Sequence, residues 1–212
     1  MPVELIWILP AGCALVDWHA VARDDRRTEV WAKPLVLISL IVVALTLGAT
    51  DDTAGRWLLV ALVLGLVGDI ALLSESMLRF QVGLGAFLIG HLAYLACFAT
   101  LGLPAPQWSW AGLIVPVVTL IAIRGVVPSA HRLGGTRVSG PVTVYVAVIA
   151  AMLVGAWFTG EPLVAIGATV FVASDAILAV NRFVRPLPGA RLSLIVTYQL
   201  GQALITAGVL GG

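Results

Sequence analysis

Apolar residues run along this chain in long, nearly unbroken blocks, neither alternating as in a half-buried strand nor confined to one helical stripe. A helix needs about 20 mainly apolar residues to cross ~30 Å of hydrocarbon. Eight blocks meet that length, at approximately 3–22, 32–50, 56–74, 80–101, 108–127, 139–158, 162–181 and 192–211. The connectors are short and carry charge or helix breakers: Arg23-Asp24-Asp25-Arg26-Arg27, Asp51-Asp52, Pro104-Ala105-Pro106, His131-Arg132-Leu133-Gly134-Gly135 and Arg185-Pro186-Leu187-Pro188-Gly189. The pattern predicts an all-α polytopic membrane protein of eight transmembrane helices, with residues 1–212 forming a single transmembrane domain and no extramembrane domain.

Composition strengthens this reading. Of 212 residues, 60% are hydrophobic and 11% charged, and the mean hydropathy is +1.06, a balance no soluble core of this size accommodates. The net charge of +1 gives no reason to expect nucleic acid as a partner. The first block lacks a basic leader and holds Glu4 and Asp17, so it reads as a retained helix rather than a cleaved signal. Cys13 and Cys97 fall inside apolar blocks, where thiols behave as small hydrophobes, and no disulfide is expected.

The basic residues set an orientation. Eleven of the twelve Lys and Arg fall beside alternate connectors: Arg23, Arg26, Arg27 and Lys33; Arg79; Arg124, Arg132 and Arg137; Arg182, Arg185 and Arg191. Only Arg56 lies on the opposite side. The positive-inside rule then places those connectors in the cytoplasm and both termini outside, in an integral protein of the bacterial cytoplasmic membrane. Trp57, Trp108, Trp110 and Trp157 suit an interfacial aromatic belt on the outer side.

Against this background two carboxyls stand out. Asp69, in Leu64-Gly65-Leu66-Val67-Gly68-Asp69-Ile70, and Asp175, in Phe171-Val172-Ala173-Ser174-Asp175-Ala176, are each the only charge in a long apolar run. Such a residue costs about 2.5–3.5 kcal/mol on insertion scales, so its retention points to a cavity, relay or site. The orientation puts both in the cytoplasmic half. Lys33 opens the second span from the same side, Asn181 and Arg182 close the seventh, and Tyr198 and Gln202 form an i, i+4 pair early in the eighth. His91 and Tyr94 share one face of the fourth. A cavity open to the cytoplasmic leaflet is the simplest arrangement. Gly68-Asp69-Ile70-Ala71-Leu72 before Arg79-Phe80 echoes Ser174-Asp175-Ala176-Ile177-Leu178 before Arg182-Phe183, four spans later, which a parallel four-plus-four repeat would explain.

The chemistry open to these residues is limited. His91 alone reads as a packing residue bonded to a nearby carbonyl, but its polar company argues for a site. His91 with both aspartates on one metal ion is the weaker alternative, and no metal or cofactor is expected. There is no Gly-x-Ser-x-Gly elbow, and Ser174 points about 100° away from Asp175 around the helix, which fits hydrogen bonding or helix packing. Two carboxyls in a low-dielectric setting suit one acid and one base, without fixing which is which. Tying helices together is their simpler use. Asp17, Asp24, Asp25, Asp51 and Asp52 lie near span ends or in loops and need no special role, and Gly65, Gly68, Gly83, Gly90, Gly155, Gly167 and Gly201 suit close helix approach.

Lys33-Pro34-Leu35, Gly68-Asp69 with Leu72-Leu73, the run Gly83-Leu84-Gly85-Ala86-Phe87-Leu88-Ile89-Gly90-His91-Leu92-Ala93-Tyr94, Phe171-Val172-Ala173-Ser174-Asp175 with Phe183, and Tyr198 with Gln202 together resemble the YhhN family of integral-membrane lysoplasmalogenases. The resemblance covers nearly the whole chain. It implies an eight-helix enzyme that hydrolyses the vinyl-ether bond of lysoplasmalogens to a fatty aldehyde and glycerophosphoethanolamine or glycerophosphocholine. Asp69 and Asp175 would divide the acid and base tasks, while His91, Tyr94, Tyr198 and Gln202 orient water or the ether oxygen. Lys33 and Arg182 would meet the phosphate, with Ser174 and Asn181 in support. One departure is Gln199, where a second aromatic beside Tyr198 is expected. The competing readings are a proton-coupled small-molecule or lipid transporter and a non-catalytic lipid-binding or assembly factor. Oligomeric state is left open.

Overall fold

The computed structural model describes residues 3–74, 76–106 and 110–211. Among these residues the chain is helical with no strand: α1 (Ile8–Ala22) after a short 3-10 turn, α2 (Arg26–Thr46), α3 (Thr53–Leu72), α4 (Met77–Leu101), α5 (Ala111–Ala122), α6 (Val126–Gly134), α7 (Thr136–Phe158), α8 (Pro162–Ala179) and α9 (Ala190–Leu210). Seven of the described helices are long and apolar enough to span a membrane, or eight if the bent pair α5 and α6 makes one span. This is the predicted polytopic all-α architecture. Many large apolar side chains face outward, including Leu15, Val42, Val63, Ile89, Val117 and Ile166, as a lipid-facing surface requires. Cys13 and Cys97 are both free thiols.

The fifth span differs from expectation. A continuous helix over 108–127 is replaced by α5 and α6, inclined at about 40°, and the predicted loop His131–Gly134 is helical. Pro128 supplies a reason: it has no N–H for the carbonyl of Arg124, and its ring crowds that carbonyl. The chain turns there through tighter bonds, Arg124 N–H to Ile121 O at 3.4 Å and Val126 N–H to Ile123 O at 2.8 Å. Pro128 then sits in the first turn of α6, where no helical N–H is missed. Gly135, with φ +60°, makes the turn into α7. Ile123, Val126, Ala130 and Val142 form a buried cluster that docks α6, with Val180 and Phe183 packed against it.

Two compact units emerge: Met1–Leu101 with Thr206–Gly212, and Gly102–Ile205. In the first, α2 lies against both α1 and α3, and α3 packs along α4. A Cβ on Gly68 would come within 2.7 Å of the Phe87 ring, and one on Gly83 within 3.0 Å of Leu72, so glycine lets α3 and α4 approach closely around Asp69. Gly90 has room for a Cβ at 3.5 Å from its nearest neighbour. In the second, α7 packs on α5, α6 and α8, and α8 crosses α9 backbone to backbone. A Cβ on Gly167 would meet the Ile205 nitrogen at 2.7 Å, and one on Gly201 the Phe171 nitrogen at 2.7 Å.

The aromatic belt is mixed. Trp57 and Trp110 are exposed, whereas Trp157 is half-buried and donates its indole N–H to Thr169 Oγ1 at 3.1 Å. Trp108 lies outside the described residues.

Candidate functional site

In the first unit the N-terminal turns of α2 and the C-terminal turn of α3 are joined by charge. Asp25 starts α2, its carboxylate accepting from the N–H groups of Arg27 and Thr28 and from the Thr28 hydroxyl. The Thr28 hydroxyl, then its N–H, hold the Asp25 carboxyl below the usual aspartate range. From this fixed start Arg26, Glu29 and Lys33 follow at helical spacing along one side of α2. Arg26 pairs with Glu29 at 3.3 Å and donates to the carbonyl of Leu73 at 3.1 Å, satisfying an otherwise free group at the end of α3. Two turns on, Lys33 Nζ lies 3.3 Å from Asp69 Oδ1, the side chains 12% and 2% exposed. The resemblance assigned Lys33 to a phosphate; here its ammonium rests on the Asp69 carboxylate.

His91 is buried on α4, and its Nδ1 lies 2.6 Å from the carbonyl oxygen of Phe87. A carbonyl only accepts, so Nδ1 is the donor in this bond. The same Phe87 abuts Gly68, so one turn of α4 both orients the histidine and packs beside Asp69. Tyr94, one turn further, is buried and stacks on Phe98 with centroids 5.9 Å apart.

The second unit holds the other carboxyl in different company. Asp175 is buried near the end of α8 and accepts a 3.2 Å hydrogen bond at Oδ1 from the hydroxyl of Tyr145 on α7. Ser174 donates instead to the Phe171 carbonyl at 2.6 Å, the intrahelical bond expected of a packing serine. Tyr198 and Gln202 are buried on α9, with Tyr198 edge-on to Phe171 at 5.3 Å. Past Asp175 the helix widens into a π turn, Val180–Val184, closed by the Arg185 N–H on the Val180 carbonyl at 3.0 Å. Asn181 and Arg182 lie exposed in this turn. Asn181 Oδ1 accepts the Leu187 N–H at 2.9 Å, shaping the loop into α9.

Three residues escaped sequence reasoning. Tyr145 is the main one: among the three tyrosines, it is the one placed in no polar pattern, flanked by Thr143, Val144 and Val146. Its mid-span hydroxyl was the available signal, since a buried tyrosine O–H finds an acceptor. Asp17, read as an end residue without a role, is fully buried in α1. Glu29, also buried, lies between the Arg23–Arg27 connector and the second apolar block and was given no role. Among the described residues no three His, Cys, Asp or Glu side chains gather into a metal-binding group.

The chain is similar in sequence to several lysoplasmalogenases. A lysoplasmalogenase of Mycobacterium bovis is 32% identical over 209 residues, covering 96% of this chain and 76% of its own. Lysoplasmalogenase TMEM86B of Sus scrofa is 33% identical over 191 residues, with 88% and 78% covered. Lysoplasmalogenase TMEM86A of Bos taurus is 30% identical over 184 residues, with 81% and 73% covered. No solved structure matches. The YhhN family model matches residues 28–209, from the first turn of α2 to the last of α9 and so across both buried carboxyls: the chain belongs to the YhhN family.

Proposed function

We propose that this protein is a lysoplasmalogenase-like ether-bond hydrolase, cleaving the vinyl-ether bond of a lysophospholipid to a fatty aldehyde and glycerophosphoethanolamine or glycerophosphocholine. The observation that carries this reading is a buried carboxyl in each unit, Asp69 against Lys33 and Asp175 under Tyr145. It comes in a chain whose relatives bear the name lysoplasmalogenase over most of their length. Those names do not favour the transporter alternative.

The reaction suits such groups. A proton from a carboxylic acid adds to the distal alkene carbon, the π electrons forming the new C–H bond and leaving an oxocarbenium ion. Water adds to that cation and gives its proton to a carboxylate. The hemiacetal then collapses to aldehyde and glycerol hydroxyl, with the proton inventory restored. A proton donor and a fixed anion are what this chemistry needs. Asp69 and Asp175 fill these roles, with His91, Tyr94, Tyr198 and Gln202 as supporting polar groups and Arg182, exposed beyond α8, as the phosphate contact. The charge distribution supports an orientation with both termini outside and the carboxyl ends of α3 and α8 toward the cytoplasm.

The test is product chemistry. Purified protein given a lysoplasmenyl lipid in D2O should release aldehyde and glycerophospho-headgroup in equal amounts, with one deuterium at C2 of the aldehyde. Lipid recovered intact, or aldehyde without that deuterium, contradicts the proposal.

A further inference from the structure

We infer that Tyr145 is a positioning residue for Asp175, holding that carboxyl in place as proton donor to the alkene; the inference rests on the acid–base reading above. The hydroxyl of Tyr145 reaches Oδ1 of Asp175 at 3.2 Å across 30 residues of sequence, and both residues are 8% exposed. Buried tyrosines often satisfy their hydroxyl on a backbone carbonyl, and here the acceptor is an intramembrane carboxyl. Two consequences follow. The O–H donor at Oδ1 fixes the orientation of the carboxyl, and with it the direction from which the carboxyl meets the alkene. As that proton passes to the alkene carbon, its O–H bonding pair stays on the carboxyl as negative charge. The hydrogen bond from Tyr145 then becomes charge-assisted, a gain present in the transition state and absent in the ground state.

Asp69 offers the contrast that assigns the roles. Its partner is the Lys33 ammonium, a positive charge that suits an anion rather than the proton donor. The Tyr145 phenol, by contrast, places no full charge beside Asp175. The packing supports a fixed Tyr145. Its helix lies against α8, and α8 in turn is locked to α9 through Gly167 and Gly201.

The experiment is a double-mutant cycle on the full-length protein with lysoplasmenylethanolamine as substrate, comparing wild type, Tyr145→Phe, Asp175→Asn and the double variant. Tyr145→Phe keeps the ring and removes only the hydroxyl, and should lower kcat by about tenfold with KM little changed. In the Asp175→Asn background it should cost nothing further, because the role inferred for the hydroxyl runs through the carboxyl. Wild-type kcat in Tyr145→Phe, or losses that multiply in the double variant, overturn the assignment. If Tyr145→Phe does not fold, 3,5-difluorotyrosine at position 145 preserves the packing while strengthening the donor, and an unchanged kcat there overturns the assignment equally. Full activity in Asp175→Asn overturns the acid–base reading itself, whereas an inactive Asp175→Asn beside a fully active Tyr145→Phe overturns the role of Tyr145 alone.

Discussion

Asp69 and Asp175 are the same residue in similar apolar runs, yet they are held in opposite ways. Asp69 has a charged partner, the Lys33 ammonium, and a soft support: the turn beside it packs a glycine against the Phe87 ring. Asp175 has a neutral partner, the Tyr145 hydroxyl, and a hard support: the helix that carries it meets α9 through backbone atoms at two glycines. Sequence depth alone gives two equivalent carboxyls. Their surroundings set an ammonium beside one and a phenol beside the other, and the difference comes from α2 and α7, not from the runs holding the aspartates.

That contrast breaks first at the glycines. Gly201→Leu or Gly167→Leu must push α8 and α9 apart, since the neighbours are backbone atoms that no rotamer change can move. The overpacking cost is about 3 kcal/mol or more, seen as a lost or strongly lowered melting transition in detergent. Gly68→Ala meets a ring edge instead. It should cost about 1 kcal/mol and leave a folded protein.

The ion pair is the next lever. Lys33→Met keeps the apolar stem but strands a carboxylate that is 2% exposed, a change of about 3–5 kcal/mol when one partner of a buried pair is removed. Folding stability and kcat should both fall, while Lys33→Arg retains most of each. Equal effects of Met and Arg would mean that the charge is irrelevant.

The smallest effect is at Asp25. Its carboxyl is held below the usual range by Thr28, so its cap on α2 contributes fully above the unfolded aspartate value and is lost as pH falls through the lower folded one. Thermal melts of wild type and Asp25→Ala should therefore differ slightly at neutral pH and converge in acid, below about pH 4.

Much of this was legible in the sequence. Helix positions followed from apolar block length, because a bilayer demands a fixed number of residues per crossing. Asp69 and Asp175 announced themselves as isolated charges. His91 and Tyr94 fell on one face because helical spacing is a local property. What could not be read is who meets whom. Lys33 lies 36 positions from Asp69 and Tyr145 lies 30 from Asp175, separations that only helix docking closes. Asp17 was misjudged because distance from a helix end says nothing about burial. The break in the fifth span was signalled by Arg124, Gly125 and Pro128, but the surrounding hydropathy stayed high enough to mask it.

The most direct measurement compares turnover of a lysoplasmenyl lipid by wild type, Asp69→Asn and Asp175→Asn, each checked for a normal melting transition. The account predicts that both substitutions reduce kcat by about 10²–10⁴-fold, the usual scale for removing a general acid or base. Wild-type turnover in either folded variant would contradict it.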